Sequence, residues 1–106
     1  MTLIIPQGNK RVRKAQEGTS LQGYVDVSYD ELVKAFGEPG PGDEYKVDAE
    51  WKITFEDGVI ATIYNYKDGK NYLGAKGLPP QKIRDWHVGG KSKESVDHVK
   101  SALGIL

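Results

Sequence analysis

Asp85 and His87 stand two residues apart in the stretch Ile83 to Val88, which alternates in polarity. As a strand it puts Ile83, Asp85 and His87 on one face and Arg84, Trp86 and Val88 on the other. A carboxylate so placed can orient an imidazole for general-base work. The sequence sets no serine or threonine beside the pair, and the chain has no cysteine, so a nucleophile is missing. His87 and His98 are the only histidines, and two imidazoles with ten residues between them, without thiolates, give no metal-ligand spacing. The scattered carboxylates likewise show no calcium-loop pattern.

A second candidate is Val88-Gly89-Gly90-Lys91-Ser92, at a strand-to-helix junction. Glycine amides and a helix N-terminus can face an anion there, with Lys91 adding charge and Ser92 a hydroxyl. A full nucleotide-cradling loop needs a further glycine five residues before Gly90, where this chain has Asp85, whose charge opposes phosphate. The segment therefore reads as an anion or nucleotide site at most, and otherwise as a turn with a serine cap.

The tyrosines form a third group. Tyr64, Tyr66 and Tyr72 stand with Asn65, Asn71, Lys67 and Lys70, mixing amphipathic rings with amide donors and cations. Such a set suits protein hot spots or stacking on a base. Strand alternation turns Tyr64 and Tyr66 to the core and leaves Tyr72 at the surface.

These side chains need a scaffold, and 106 residues provide one domain. Leu, Ile, Val and Phe make up 25 positions, enough for a core, and the absence of cysteine excludes disulfides and thiolate metal sites. The longest apolar run, Leu3-Ile4-Ile5, is far short of a membrane span, so a soluble, cytoplasmic protein without membrane association is expected. Fifteen basic and fifteen acidic residues cancel, but unevenly: residues 1–20 sum to +3, 21–66 to −7 and 67–106 to +4. An acidic middle could meet a basic partner, and basic ends a phosphate backbone.

Residues 1–20 lack a sustained period and read as a mobile basic arm, in which Leu3 to Ile5 could add an edge strand. Lys10, Arg11, Arg13 and Lys14 are the phosphate-binding candidates there. The domain proper spans 21–106. After a short strand through Tyr24, Val25 and Val27, Ser28-Tyr29-Asp30-Glu31 is a capping box. It starts a helix whose apolar stripe is Tyr29, Leu32, Val33 and Phe36, closed by Gly37 and Pro39. Glu38 to Glu44 is loop. Ala49, Trp51, Ile53 and Phe55 alternate with polar residues as a half-buried strand, and Asp57-Gly58 reads as a two-residue hairpin turn. That turn pairs Glu56 with Val59 and turns Ile60, Thr62 and Tyr64 toward the core, leaving Val59, Ala61, Ile63 and Asn65 on the outer face. Residues 67–80 form a long turn-rich connection, Ile83 to Val88 a further strand ended by Gly89-Gly90, and Ser92 caps a closing helix with the stripe Val96, Val99, Ala102 and Leu103, stopped by Gly104. The fold class is α+β, a small β-α-β-β-β-α sandwich with an antiparallel sheet and helices on one face.

A helix, three antiparallel strands and a helix is also the order of a double-stranded-RNA-binding domain. The acidic first helix and the last helix, with only Lys91, Lys93 and Lys100, lack its basic cluster. The run Gly37-Glu38-Pro39, Ala49-Glu50-Trp51, Phe55-Glu56-Asp57-Gly58, Ala61 to Lys67, Asn71 to Gly74 and Asp85 to Gly90 resembles a family of small bacteriophage-encoded proteins of unknown function, over residues 21–103. The order helix, Phe-Gly-x-Pro, Trp-bearing strand and Phe-x-x-Gly hairpin also resembles the half-repeat of β-lactamase-inhibitory proteins and small outer-membrane assembly lipoproteins, though this chain has no second repeat and no lipidation cysteine.

Both resemblances imply a binding protein, and the first implies takeover of a host or blocking of its defences. The expectation is a non-enzymatic protein without cofactor or metal that engages a host protein through Tyr66, Lys70, Asn71, Tyr72, Asp43, Glu44 and His87. The alternative is a nucleic-acid or nucleotide-binding module using the basic arm and Gly89 to Ser92, including Lys91 and Ser92.

Overall fold

A computed structural model describes residues 4–7, 20–41 and 46–105 of the chain. The basic candidates Lys10, Arg11, Arg13 and Lys14 and the acidic candidates Asp43 and Glu44 lie outside the described residues. The elements in chain order are β1 (Ile4–Gln7), β2 (Ser20–Asp26), α1 (Tyr29–Phe36), β3 (Glu50–Phe55), β4 (Ile60–Tyr64), α2 (Lys70–Leu73), β5 (Asp85–Gly90) and α3 (Glu94–Leu103). All strands pair antiparallel in one sheet of order β1-β3-β4-β5-β2. The α+β architecture stands, and the apolar start of the chain supplies an edge strand, with Ile4 opposite Phe55.

Local chemistry fixes α1 at both ends. The Ser28 hydroxyl accepts the Glu31 amide at 3.1 Å while the Glu31 carboxylate accepts the Ser28 amide at 3.0 Å, a closed capping box. Gly37 ends the helix at a φ of 85°, which a residue with a Cβ rarely adopts, and its amide reaches the Val33 carbonyl. At the other end of the fold Gly104 takes the left-handed conformation expected of a stop for α3. The start of α3 differs: the helix opens at Glu94 with Lys93 at the cap position, and Ser92 contributes a 3.3 Å bond from the Glu94 amide to its hydroxyl.

Leu32 and Phe36 of α1 and Val96 and Val99 of α3 are buried against the sheet residues Val25, Trp51, Ile53, Phe55, Ala61, Ile63, Trp86 and Val88. Each large apolar side chain so buried contributes about 1.5 to 3 kcal/mol. The two indoles meet edge to face at 5.3 Å, and both of their N–H groups are satisfied. Trp51 Nε1 donates to the Gly37 carbonyl at 2.7 Å, tying the end of α1 to β3. Trp86 Nε1 donates to the carbonyls of Val27 and Ile83 at 3.1 and 3.2 Å, closing the entries to α1 and β5 together.

The hairpin register departs from the two-residue reading. Phe55 pairs with Val59 through a 2.8 Å bond, so the loop has three residues, with Gly58 at φ 91°. Thr54 then faces Ile60, Trp51 faces Ile63 and Glu50 faces Tyr64. A shift of one residue exchanges the faces of β4: Ala61 and Ile63 enter the core, followed by Asn65 just past the strand, while Tyr64 moves to the face away from the helices. The last strand is also displaced, running from Asp85 through Gly90, so the two glycines are paired strand residues rather than its end. They are glycines for steric reasons. A Cβ on Gly90 would overlap the Ser95 hydroxyl of α3, and one on Gly89 would lie 2.6 Å from Thr62 Oγ1 on the opposite face.

Candidate functional site

Asn65 is fully buried where β4 runs out, and it organises the segments around it. Its Oδ1 accepts the backbone amides of Asp48 and Ala49 at 2.8 and 3.1 Å. Its Nδ2 donates to Asp48 Oδ1 and Asp68 Oδ1, both at 3.0 Å. The second oxygen of Asp48 accepts the Asn71 amide at 3.1 Å, which carries the network into α2. The fit is close enough that a Cβ on Gly69 would overlap the Asp48 carboxylate and one on Gly77 would overlap the Gly69 carbonyl. The connection of residues 67–80 is thus held in one shape, by this hub and by the Leu78 amide on the Asp68 carbonyl at 3.0 Å.

The loop departs from β4 at Lys67, the one described non-glycine residue with positive φ, at 62°. That conformation costs on the order of 1 kcal/mol, and the 2.8 Å bond from the Lys67 amide to the Lys46 carbonyl holds it. The bend sets the Lys67 ammonium 5.3 Å from the Tyr66 ring centre and 5.5 Å from that of Tyr72. Tyr66, Tyr72, Leu73 and Leu78 are all exposed, at 42, 38, 46 and 46%. Lys67, Lys70, Lys76 and Lys82 make no ion pair with any described residue. The nearby carboxylates of Asp48 and Asp68, by contrast, are bonded inward to Asn65.

His87 continues this surface across the sheet. It is opposite Tyr64 on one side and Tyr24 on the other. Its ring stacks on Tyr64 at 5.4 Å, meets Tyr24 edge-on at 4.9 Å and lies 5.8 Å from Tyr66. Burial, and after it the Glu50 charge, raises the Tyr64 phenol above its ordinary pKa. His87 Nδ1 is buried without a hydrogen-bond partner. Asp85 shares the outer face as its spacing requires, but no hydrogen bond joins it to the imidazole, so the carboxylate-oriented base does not form.

Five expected binding residues, Tyr66, Lys70, Asn71, Tyr72 and His87, therefore fall on one connected surface. Tyr66 is exposed rather than turned to the core, because the shifted register that buries Ile63 and Asn65 sends Tyr64 and Tyr66 to the outer face. Lys91 and Ser92 lie at the opposite end of β5, about 13 Å along the strand from His87. There they line a cavity of about 240 Å³ with Asp57, Gly58, Val59, Ile60, Glu94 and Ser95. Two carboxylates, Asp57 and Glu94, share it, which opposes the accumulation of an anion. The Ser92 hydroxyl is engaged by the Glu94 amide, and the Ser95 hydroxyl donates to the Ile60 carbonyl at 2.6 Å.

Sequence reasoning missed Tyr24, exposed at 53%, and the hub role of Asn65. Tyr24 follows from the alternation of β2 once its pairing with β5 is known, and Asn65 from the corrected hairpin register. Among the described residues no group of three or more potential ligands is placed to hold a metal, and no helix is long and apolar enough to cross a membrane. In comparisons with known proteins, no family model matches the chain and no curated protein matches its sequence.

Proposed function

We propose that this is a non-enzymatic binding protein that engages a macromolecule through the surface formed by Tyr66, Lys67, Tyr72, Leu73 and Leu78, with His87 and Tyr24 at its border. The observation that carries the reading is one loop that exposes two tyrosines and two leucines while a buried asparagine hub holds its shape. Exposed apolar and aromatic side chains on a fixed backbone are what a contact surface needs, because little ordering entropy is lost on binding. The resemblance of residues 21–103 to phage-encoded proteins supports a host macromolecule as the partner.

The test is affinity capture from bacterial lysate with the wild type, a Tyr72→Ala/Leu73→Ala variant and a Lys91→Ala/Ser92→Ala variant. Material retained by the wild type and by the second variant, but lost with the first, is the expected result. Equal recovery by all three, or recovery of nothing, would sink the reading.

A further inference from the structure

Going beyond the loop surface, we infer that the free edge of β2 docks a second copy of this chain, joining two sheets antiparallel about a two-fold axis at Tyr24. The sheet has one closed edge and one open one. Phe55 bonds Val59 across β3 and β4, so by alternation Thr54 and Lys52 turn their backbone groups to β1, and Pro6, opposite Ile53, holds an outward position. β1 is four residues long, and its outward proline brings no amide hydrogen, which closes that edge to pairing. β2 has seven residues and no proline or lysine. The Val27 amide bonds the Arg84 carbonyl, which directs Val25 to β5 as well and turns the amide and carbonyl of Tyr24 outward. Among the described residues nothing takes up either group, and the Tyr24 side chain, with that of Leu21, stands exposed beside them.

What can fill this edge is set by charge and register. Asp26 is the one charged residue of β2, and Arg84 neutralises it at 3.0 Å, so the edge neither calls for a charged partner nor repels its twin. With no charge to select a foreign strand, the matching edge is the one every copy already carries. The bulge between Leu21 and Gly23 disturbs only the start of the strand, leaving Gly23 to Asp26 regular. In an antiparallel pair outward residues meet outward residues, so Tyr24 exchanges both backbone bonds with Tyr24 of the copy, and the two rings lie side by side on the outer face. A shift to Tyr24 on Asp26 would make the two Asp26 carboxylates diagonal neighbours, which selects the first register. The five strands of each copy then run on as one sheet, ended on both sides by the strand of Pro6. Assembly therefore closes at two copies instead of growing into a fibre, and it sets both loop surfaces on the same face.

The experiment is sedimentation velocity of the full chain over a dilution series, and the expected result is a monomer–dimer equilibrium with a limiting mass of twice the chain. Tyr24→Pro removes an amide that makes no bond within one copy, so it should leave the fold intact and raise the dimer Kd about five- to a hundredfold, two bonds being lost per dimer. Tyr24→Lys sets two ammonium groups across the axis and should do the same, which keeps the test decisive if the proline unfolds the chain by circular dichroism. Tyr24→Phe should keep the dimer, and so should Tyr72→Ala/Leu73→Ala. Because the chain has no cysteine, a single Tyr24→Cys variant should cross-link to a dimer under mild oxidation, faster than Tyr72→Cys. A monomer at every concentration overturns the inference, as does a species that grows past two copies. A dimer indifferent to both Tyr24→Pro and Tyr24→Lys, or equal cross-linking of the two cysteine variants, places any contact elsewhere and overturns it too. Loss of the dimer in Tyr72→Ala/Leu73→Ala would move self-association to the loop and also sink it. Partner capture by the loop is read separately, so either reading can fail while the other stands.

Discussion

His98 on α3 and Asp57 at the tip of the β3–β4 hairpin are joined by a 2.6 Å contact between Nε2 and Oδ2, which clamps the hairpin to the last helix. The same imidazole meets the Phe55 ring edge-on at 5.0 Å. The hydrogen bond to His98, followed by the Val59 amide, lowers the Asp57 pKa below its ordinary 3.8. A depressed carboxyl pKa means that the contribution is fully present above the unfolded value and is lost as pH falls through the folded one. Asp57→Asn should therefore lower the urea midpoint at pH 7, and its deficit relative to wild type should shrink as pH falls below about 4. Midpoints measured from pH 7 to pH 2.5 check this; a constant difference across that range contradicts it.

Asn65 presents a different balance, because it is buried between two carboxylates that both need its amide protons. Asn65→Asp keeps an acceptor for the Asp48 and Ala49 amides but removes both donors and adds a third negative charge. Losing hydrogen bonds to charged, buried groups and leaving like charges together should cost about 3 kcal/mol or more at pH 7. Part of that loss should return in acid, where one carboxyl of the trio takes a proton. Asn65→Leu adds no third charge but orphans the same groups, so it should be destabilised with a smaller acid recovery than Asn65→Asp. Denaturant titrations of both variants at pH 7 and pH 4.5 separate the two mechanisms.

How far the sequence reached is clearest by comparing α1 with the hairpin. The Ser28–Glu31 box, the stripe through Leu32 and Phe36 and the bond from the Gly37 amide to Val33 each span three or four residues, and local chemistry of that range is legible without a partner. The register of β4 is not local. Ile60, Ala61, Thr62, Ile63 and Tyr64 carry no strict alternation, so both faces are acceptable to the pattern and only the turn decides. Asp57-Gly58 suits a two-residue turn, but the core gains more from Ala61 and Ile63 beneath the helices than from Thr62 and Tyr64, and a three-residue turn delivers that. The same register governs the site: it buries Asn65 and turns Tyr64 outward, whereas the exposure of Tyr72, in a loop without strand register, does not depend on it.

The three-residue turn makes its own prediction at Gly58, whose φ of 91° lies where side chains are disfavoured although no neighbouring atom crowds it. Gly58→Ala should therefore cost about 1 kcal/mol from backbone strain alone, a fall in Tm of roughly 4 to 8 °C for a domain of this size. Gly58→Asn should cost less, because asparagine tolerates positive φ. Equal thermal shifts for the two variants would mean that contacts, not φ, govern the position.

His87 offers a way to separate stability from function on the aromatic surface. Its Nδ1 is buried without a partner, a polar atom that folding desolvates for no return. The ring meanwhile packs against Tyr24, Tyr64 and Tyr66. His87→Phe keeps a ring of similar size and removes the orphaned nitrogen, so thermal stability should stay level or rise by about 1 kcal/mol. If the surface serves binding, the imidazole's remaining nitrogen is the polar group it offers there, and the same substitution should weaken partner retention. A rise in Tm together with lost retention identifies a residue kept for function at the expense of stability, the pattern expected where local packing rules are broken at a working site. A fall in Tm would instead make the imidazole a structural member of the sheet face and move the contact surface wholly onto the loop of Tyr66 to Leu78.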